Sequence, residues 1–182
     1  MPRLILLNGP PACGKSTLAQ RYVDEHPLAL NLDVDRVRSL IGRWRADPPA
    51  AGLLARRIAL AGARAHLVSG HDVVVPQFLG RVTFIEQLEG LAGEVGAGFH
   101  EIVLFDSLEN ILRRFAERGR AAADPLHVEA KEMVESGGGF EDLSVMYDRL
   151  LSVLSVRPGA RIVHVEDGDV ELTYQTLLRN LE

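Results

Sequence analysis

Gly9-Pro10-Pro11-Ala12-Cys13-Gly14-Lys15-Ser16 is the stretch that decides how this chain is read. It fits the pattern G-x-x-x-x-G-K-[ST], in which a glycine-rich turn wraps backbone N–H groups around phosphate. The setting carries more weight than the pattern. Upstream, Leu4-Ile5-Leu6-Leu7 is an apolar run of the kind buried on both faces of a parallel sheet. Downstream, Ser16 to Val23 reads as helix, with Leu18, Ala19, Tyr22 and Val23 on one side. Strand, glycine loop and helix together are the context in which this motif holds a polyphosphate at a helix N-terminus. Gly9 to Thr17 then form the cradle, Lys15 reaches the outer phosphates, and Ser16 offers its hydroxyl to Mg²⁺.

Outward from the loop, apolar strand-like runs alternate with helical stretches. Leu28 to Leu32 reads as a second strand ending at Asp33, followed by a short helix with Val37, Leu40 and Ile41 on one face. Gly42 to Ala51, with Asp47-Pro48-Pro49, reads as irregular. Leu54, Ile58, Ala61 and Ala65 follow helical spacing. Val73-Val74-Val75 is a β-branched strand closed by Pro76, and Ile85, Leu88, Ala92 and Val95 mark the next helix. Ile102 to Phe105 and Ile162 to Val165 are further strands, and Arg118 to Asp124 reads as a loop. The pattern predicts an α/β fold: a five-stranded parallel sheet with helices on both faces, one domain over residues 1–182. Ligands on such sheets sit beyond the carboxyl ends of the strands.

Composition narrows the class. A hydrophobic share of 47% with 25% charged residues belongs to a globular chain with a sizeable core. The net charge of −5 speaks against a protein whose main partner is nucleic acid. A single cysteine allows no internal disulfide, the N-terminus enters the first strand at once, and no apolar stretch is long enough to span a bilayer. A cytoplasmic protein is the expectation.

Residues that follow strands are the candidates for chemistry. Asp33 and Asp35 follow the second strand, where a carboxylate can take a proton from a hydroxyl, hold water on Mg²⁺, or cap the next helix. Arg38, one turn after Asp35, shares its side and is suited to an anionic group. Arg114 and Arg118, four apart, suit a lid over residues 113–139 that neutralises a transferring phosphoryl group; favourable placement at a helix C-terminus is the plainer alternative. Trp44 lies beside the expected acceptor site, where packing and stacking on a substrate ring are both open. Where other phosphate-loop enzymes end a later strand with an acid, this chain has Pro76-Gln77.

The phosphate loop, Asn31 to Arg38, and Leu112 to Gly119 resemble the kinase module of phage-type polynucleotide 5′-kinases and small kinases of the same group. Val34-Asp35 with Phe78-Leu79-Gly80 is also similar to chloramphenicol phosphotransferase. The resemblance covers about residues 3–120 in motif order and implies ATP as donor and Mg²⁺ as its counter-ion. It implies Asp35 as general base, Arg38 at the acceptor, and Arg114 and Arg118 on phosphates. The two relatives differ in acceptor, a nucleic-acid end in one and a small alcohol in the other. The acidic balance and the lack of a dense basic or aromatic track favour the small molecule. A nucleotide-binding switch or ATPase is the rival expectation from another class. The sequence leaves the oligomeric state open.

Overall fold

Alternation along the first strand sets the layers. The structure, a computed structural model, describes residues 1–120, 140–165 and 169–182, with side chains for all of these except 118–120 and 140–142. In β1 (Arg3–Asn8), Leu4 and Leu6 point into one core and Ile5 and Leu7 into another, and all four are fully buried. The first core is roofed by α3 (Pro48–Val68) and α4 (Val82–Val95), the second by α1 (Lys15–Glu25) and α7 (Val170–Arg179). The expected five-stranded parallel sheet is present, in the order β2 (Leu30–Asn31), β3 (Val73–Pro76), β1, β4 (Gly98–Phe105), β5 (Arg161–His164). Every pairing is parallel, with Leu4 opposite Val73 on one side of β1 and opposite Phe99 on the other. All the strands therefore present their carboxyl ends at one edge, where the loops at 9–14, 32–33, 77–81 and 106–107 converge.

The helices depart from expectation in instructive ways. Pro48 and Pro49 open α3 rather than breaking the chain, because proline fits the first helical turn, where its missing N–H has no partner to lose. Asp47 caps that turn by accepting from the Ala50 N–H at 3.1 Å. The face of α3 is also not the expected one. Ala51, Ala55, Ala59, Ala63 and Leu67 are buried, while Leu54 and Ile58 are 45% and 47% exposed. A ridge of alanines at i, i+4 spacing lets the helix lie close on the sheet, where larger side chains would hold it off. Leu40 is exposed too, and the short α2 (Val34–Ser39) is anchored by Val34. The helix α5 (Leu108–Arg120) continues past Arg118, where a loop was expected. A further helix, α6 (Phe140–Val156), precedes β5.

Candidate functional site

The phosphate loop is built by backbone geometry that only particular residues permit. Gly9 has φ 146°, and a Cβ there would meet the Leu104 carbonyl oxygen at 2.6 Å and Cys13 Sγ at 2.8 Å. Gly14 takes φ 92° as the residue that opens α1. No side chain caps that helix and no acid lies in its first turn, so its leading N–H groups remain available to an anion. The Lys15 ammonium is folded over the loop, donating to the carbonyl oxygens of Gly9 at 2.8 Å and Pro10 at 2.7 Å. Ser16 and Thr17 follow it at the helix start.

Asn8 holds this loop to the neighbouring strand. It is fully buried at the end of β1. Its Oδ1 accepts from the Gly9 N–H at 2.8 Å and the Leu79 N–H at 2.9 Å, and its Nδ2 donates to the Leu79 carbonyl at 3.1 Å. One carboxamide thus ties the first loop glycine to the segment after β3. Sequence reasoning passed over Asn8, although a lone amide closing an apolar run was a signal that it had a buried partner to find.

Asp35 belongs to the same edge. The Gln77 N–H donates to the Leu7 carbonyl at 3.1 Å, and its side-chain amide donates to Asp35 Oδ2 at 3.4 Å. Arg38 pairs with Asp35 Oδ1 at 3.2 Å. The Asp35 side chain is 47% exposed and so reachable from solvent. Asp33 is placed differently. Its Oδ1 accepts from the Asp35 N–H at 2.8 Å and the Arg36 N–H at 3.3 Å, which makes it the N-cap of α2. Burial, and then the neighbouring charge of Asp35, push its carboxyl above the usual carboxylate range. The guanidinium groups of Arg38 and Arg45 both lie over the Trp44 ring, 4.7 and 4.6 Å from its centroid.

Beyond β4, Asp106 is buried and accepts from the Ser107 N–H at 2.6 Å and from Asn110 Nδ2 at 2.8 Å. Arg114 pairs with its other oxygen, Oδ2. No sequence pattern joins these two residues, which lie eight positions apart across a loop and a helix. Their contact sets Arg114 at the carboxyl edge beside the phosphate loop, because Gly9 itself abuts Leu104 of β4. The side chain of Arg118 and residues 121–139 of the expected lid lie outside the described residues. Among the described residues no helix is long and apolar enough to cross a membrane.

A phosphate loop on the central strand of a parallel sheet, with an acid and arginines from the flanking strand ends, defines the class of small phosphate-loop kinases. Within it, the chain belongs to an AAA domain family, whose model matches residues 4–142. No curated protein sequence matches the chain. Among solved structures, APS kinase from Mycobacterium tuberculosis in complex with AMPPNP and APS is similar at 17% identity and TM-score 0.60, over 99% of this chain and 97% of that one. A gluconokinase from Sinorhizobium meliloti is similar at 17% identity and TM-score 0.58, over 99% and 95%. The tunicamycin resistance protein of Deinococcus radiodurans is similar at 13% identity and TM-score 0.62, over 100% and 96%.

Proposed function

We propose that this phosphate-loop kinase transfers the γ-phosphate of ATP to a hydroxyl of a small molecule, with Asp35 as general base. The observation that carries the reading is the chain of contacts from Asp35 through Gln77 to Leu7, which seats a half-exposed carboxylate close to the start of the loop. The likeness of the whole chain to a gluconokinase and an APS kinase supports a small-molecule acceptor. A nucleic-acid end is the weaker alternative, given the net charge of −5.

Each residue has a task. The N–H groups of residues 9–17 hold the phosphates, and Lys15 leaves its two carbonyls to meet the outer ones. Arg38 orients Asp35 and the acceptor; Arg114 and Arg118 meet charge on the transferring group. Asp35 takes the hydroxyl proton as the oxygen attacks phosphorus and the bond to the ADP oxygen breaks. Mg²⁺ is suited to this donor set, since it takes one or two protein oxygens and fills the rest with water and phosphate. Ser16 and Asp33, whose Oδ2 lies 3.9 Å from Arg36 Nε, are the groups that would hold it, and it would neutralise charge on the phosphates.

The test is single-turnover transfer from labelled ATP to pools of sugars, sugar acids, nucleosides, antibiotics and 5′-hydroxyl oligonucleotides. Label on a small alcohol that disappears with Asp35→Asn is the expected result. Label released only as inorganic phosphate would instead mark a nucleotide-hydrolysing switch.

A further inference from the structure

The helix α3 has two apolar faces, and the sheet uses one of them. The ridge of Ala51, Ala55, Ala59, Ala63 and Leu67 is buried. Leu54, Ile58, Ala61, Ala65 and Val68 run along the outward side, and all five are exposed. Their spacing is 4, 3, 4, 3, the hydrophobic repeat of a helix that packs against another helix. Nothing among the described residues covers them. A helix that is apolar on opposite faces belongs in a buried setting, and a continuous apolar strip on a protein surface marks a contact.

The charges beside this seam point to its occupant. α3 carries three arginines and no acid, and the neighbouring α4 carries three glutamates and no base. A groove of about 590 Å³ opens between the two helices over Leu60, Gly90 and Leu91, with Arg64, Glu86 and Glu94 on its walls. Arg64 and Glu94 form an ion pair, and the exposed Arg57 lies two turns before Arg64 on the same side of α3. The border of the seam thus holds two arginines and two glutamates, so two identical faces can meet without net repulsion. We infer that this face joins two copies of the chain, α3 against α3 and antiparallel, with Ala61 at the two-fold axis.

Side-chain size selects the direction. About Ala61, Leu54 of one copy falls opposite Val68 of the other and Ile58 opposite Ala65, large against small along the seam. A parallel pairing would set Leu54 and Ile58 against themselves and the alanines against themselves, crowding one part and leaving voids in the next. The antiparallel pairing also brings Arg57 of one copy beside the Arg64–Glu94 pair of the other, with its stem along the groove and its guanidinium at a carboxylate. A contact of this symmetry closes at two copies. With α3 about 30 Å long and α4 about 10 Å to its side, the face offers roughly 600 Å² per copy, about 1,200 Å² in all, the low end for a stable interface. The pairing is independent of the proposed reaction, whose residues lie at the carboxyl edge of the sheet.

Sedimentation velocity on the full chain, from about 1 to about 100 μM, should show a concentration-dependent species of twice the monomer mass. Ala61→Glu sets two carboxylates face to face at the axis and should weaken association about 100-fold or more, the cost of bringing like charges together. Ile58→Glu should act in the same direction. Both positions are exposed, so the circular dichroism of each variant should match the wild type. Ala61→Cys tests the register. Under mild oxidation it should give a disulfide-linked dimer, whereas the wild type, whose Cys13 is buried, and Gln175→Cys, on α7 across the sheet, should not. A chain that stays monomeric at about 100 μM, leaving the seam to a different protein, overturns the proposal. So does a dimer that survives both glutamate substitutions, or an Ala61→Cys protein that links no faster than Gln175→Cys. None of these readings needs turnover, so failure of the kinase assay leaves this test intact.

Discussion

The two sides of the candidate site are built by different means. On the donor side, around β1, the backbone makes the surface: positive φ at Gly9 and Gly14, uncapped N–H groups at the start of α1, and a buried amide holding the loop in place. On the acceptor side, around β2 and β3, side chains make it: Asp35, Arg38, Gln77 and Trp44, most of them partly exposed, with buried polar atoms on Arg38 and Gln77 left unpartnered. A backbone cradle serves one invariant chemical group. A side-chain surface can be re-cut for a new acceptor without disturbing the loop. Proteins as different as a gluconokinase and an APS kinase share this fold.

The largest expected effect lies on the donor side. Lys15→Ala should keep the fold, because the ammonium sits over the loop and not in a core. Transfer should fall by about 10³–10⁵-fold, the range for a cation that meets charge on a transferring phosphoryl group. Circular dichroism and a turnover assay on the same sample decide this, and a folded variant with wild-type turnover would break the donor side of the comparison.

Next comes the acceptor side. Asp35→Asn preserves shape and removes the proton acceptor. Turnover should drop by about 10²–10⁴-fold with nucleotide affinity nearly unchanged. A loss that excess Mg²⁺ repairs would mean that Asp35 belongs to the metal shell, and the donor and acceptor sides would no longer be separable.

Asn8→Ala probes the join between them. The substitution strands the N–H groups of Gly9 and Leu79 and the Leu79 carbonyl in a buried site. Each such group costs about 1–3 kcal/mol when unpaired and out of reach of water. Chemical denaturation should show the loss, and turnover should fall by about 10-fold or more as the loop loses its register with the segment after β3. Full activity in a destabilised variant would show that the two sides hold their positions independently.

How much of this was legible follows the same divide. The loop and its strand could be read directly, because their constraints are local: a glycine where a Cβ would meet a backbone oxygen, and an apolar run ahead of it. The sheet followed from the alternation of runs, since a strand buried on both faces has no polar side to show. The buried face of α3 was misread because hydrophobic spacing favours the larger residues, whereas close packing selected the alanine ridge at Ala51, Ala55, Ala59 and Ala63. The Asp106–Arg114 pair, the Asn8 clamp and the Gln77–Asp35 contact depend on which strands are neighbours, and the order β2-β3-β1-β4-β5 is a property of the assembled sheet.

The smallest expected effect concerns Asp33, and it sharpens the comparison most finely. One carboxylate oxygen caps α2; the other lies 3.9 Å from Arg36 Nε, a loose pairing that leaves it lone pairs for a metal-bound water. Asparagine caps a helix as well as aspartate does, while alanine does not, at a cost of about 1 kcal/mol. Asp33→Asn therefore keeps the cap and removes the charge, and Asp33→Ala removes both. Burial and Asp35 raise the Asp33 carboxyl in the folded state, so the fold binds that proton more tightly than the unfolded chain does. Its contribution is fully present below the ordinary carboxylate range and is lost as pH rises through the raised value. Asp33→Asn should thus gain stability relative to the wild type on going from acidic to neutral pH. If Asp33 also holds Mg²⁺ through water, Asp33→Asn should need about 10-fold or more Mg²⁺ for half-maximal turnover while reaching nearly the same maximum. Mg²⁺ curves for Asp33→Asn that overlay the wild type would make Asp33 a helix cap alone, leaving Ser16 as the metal's one protein ligand on the donor side.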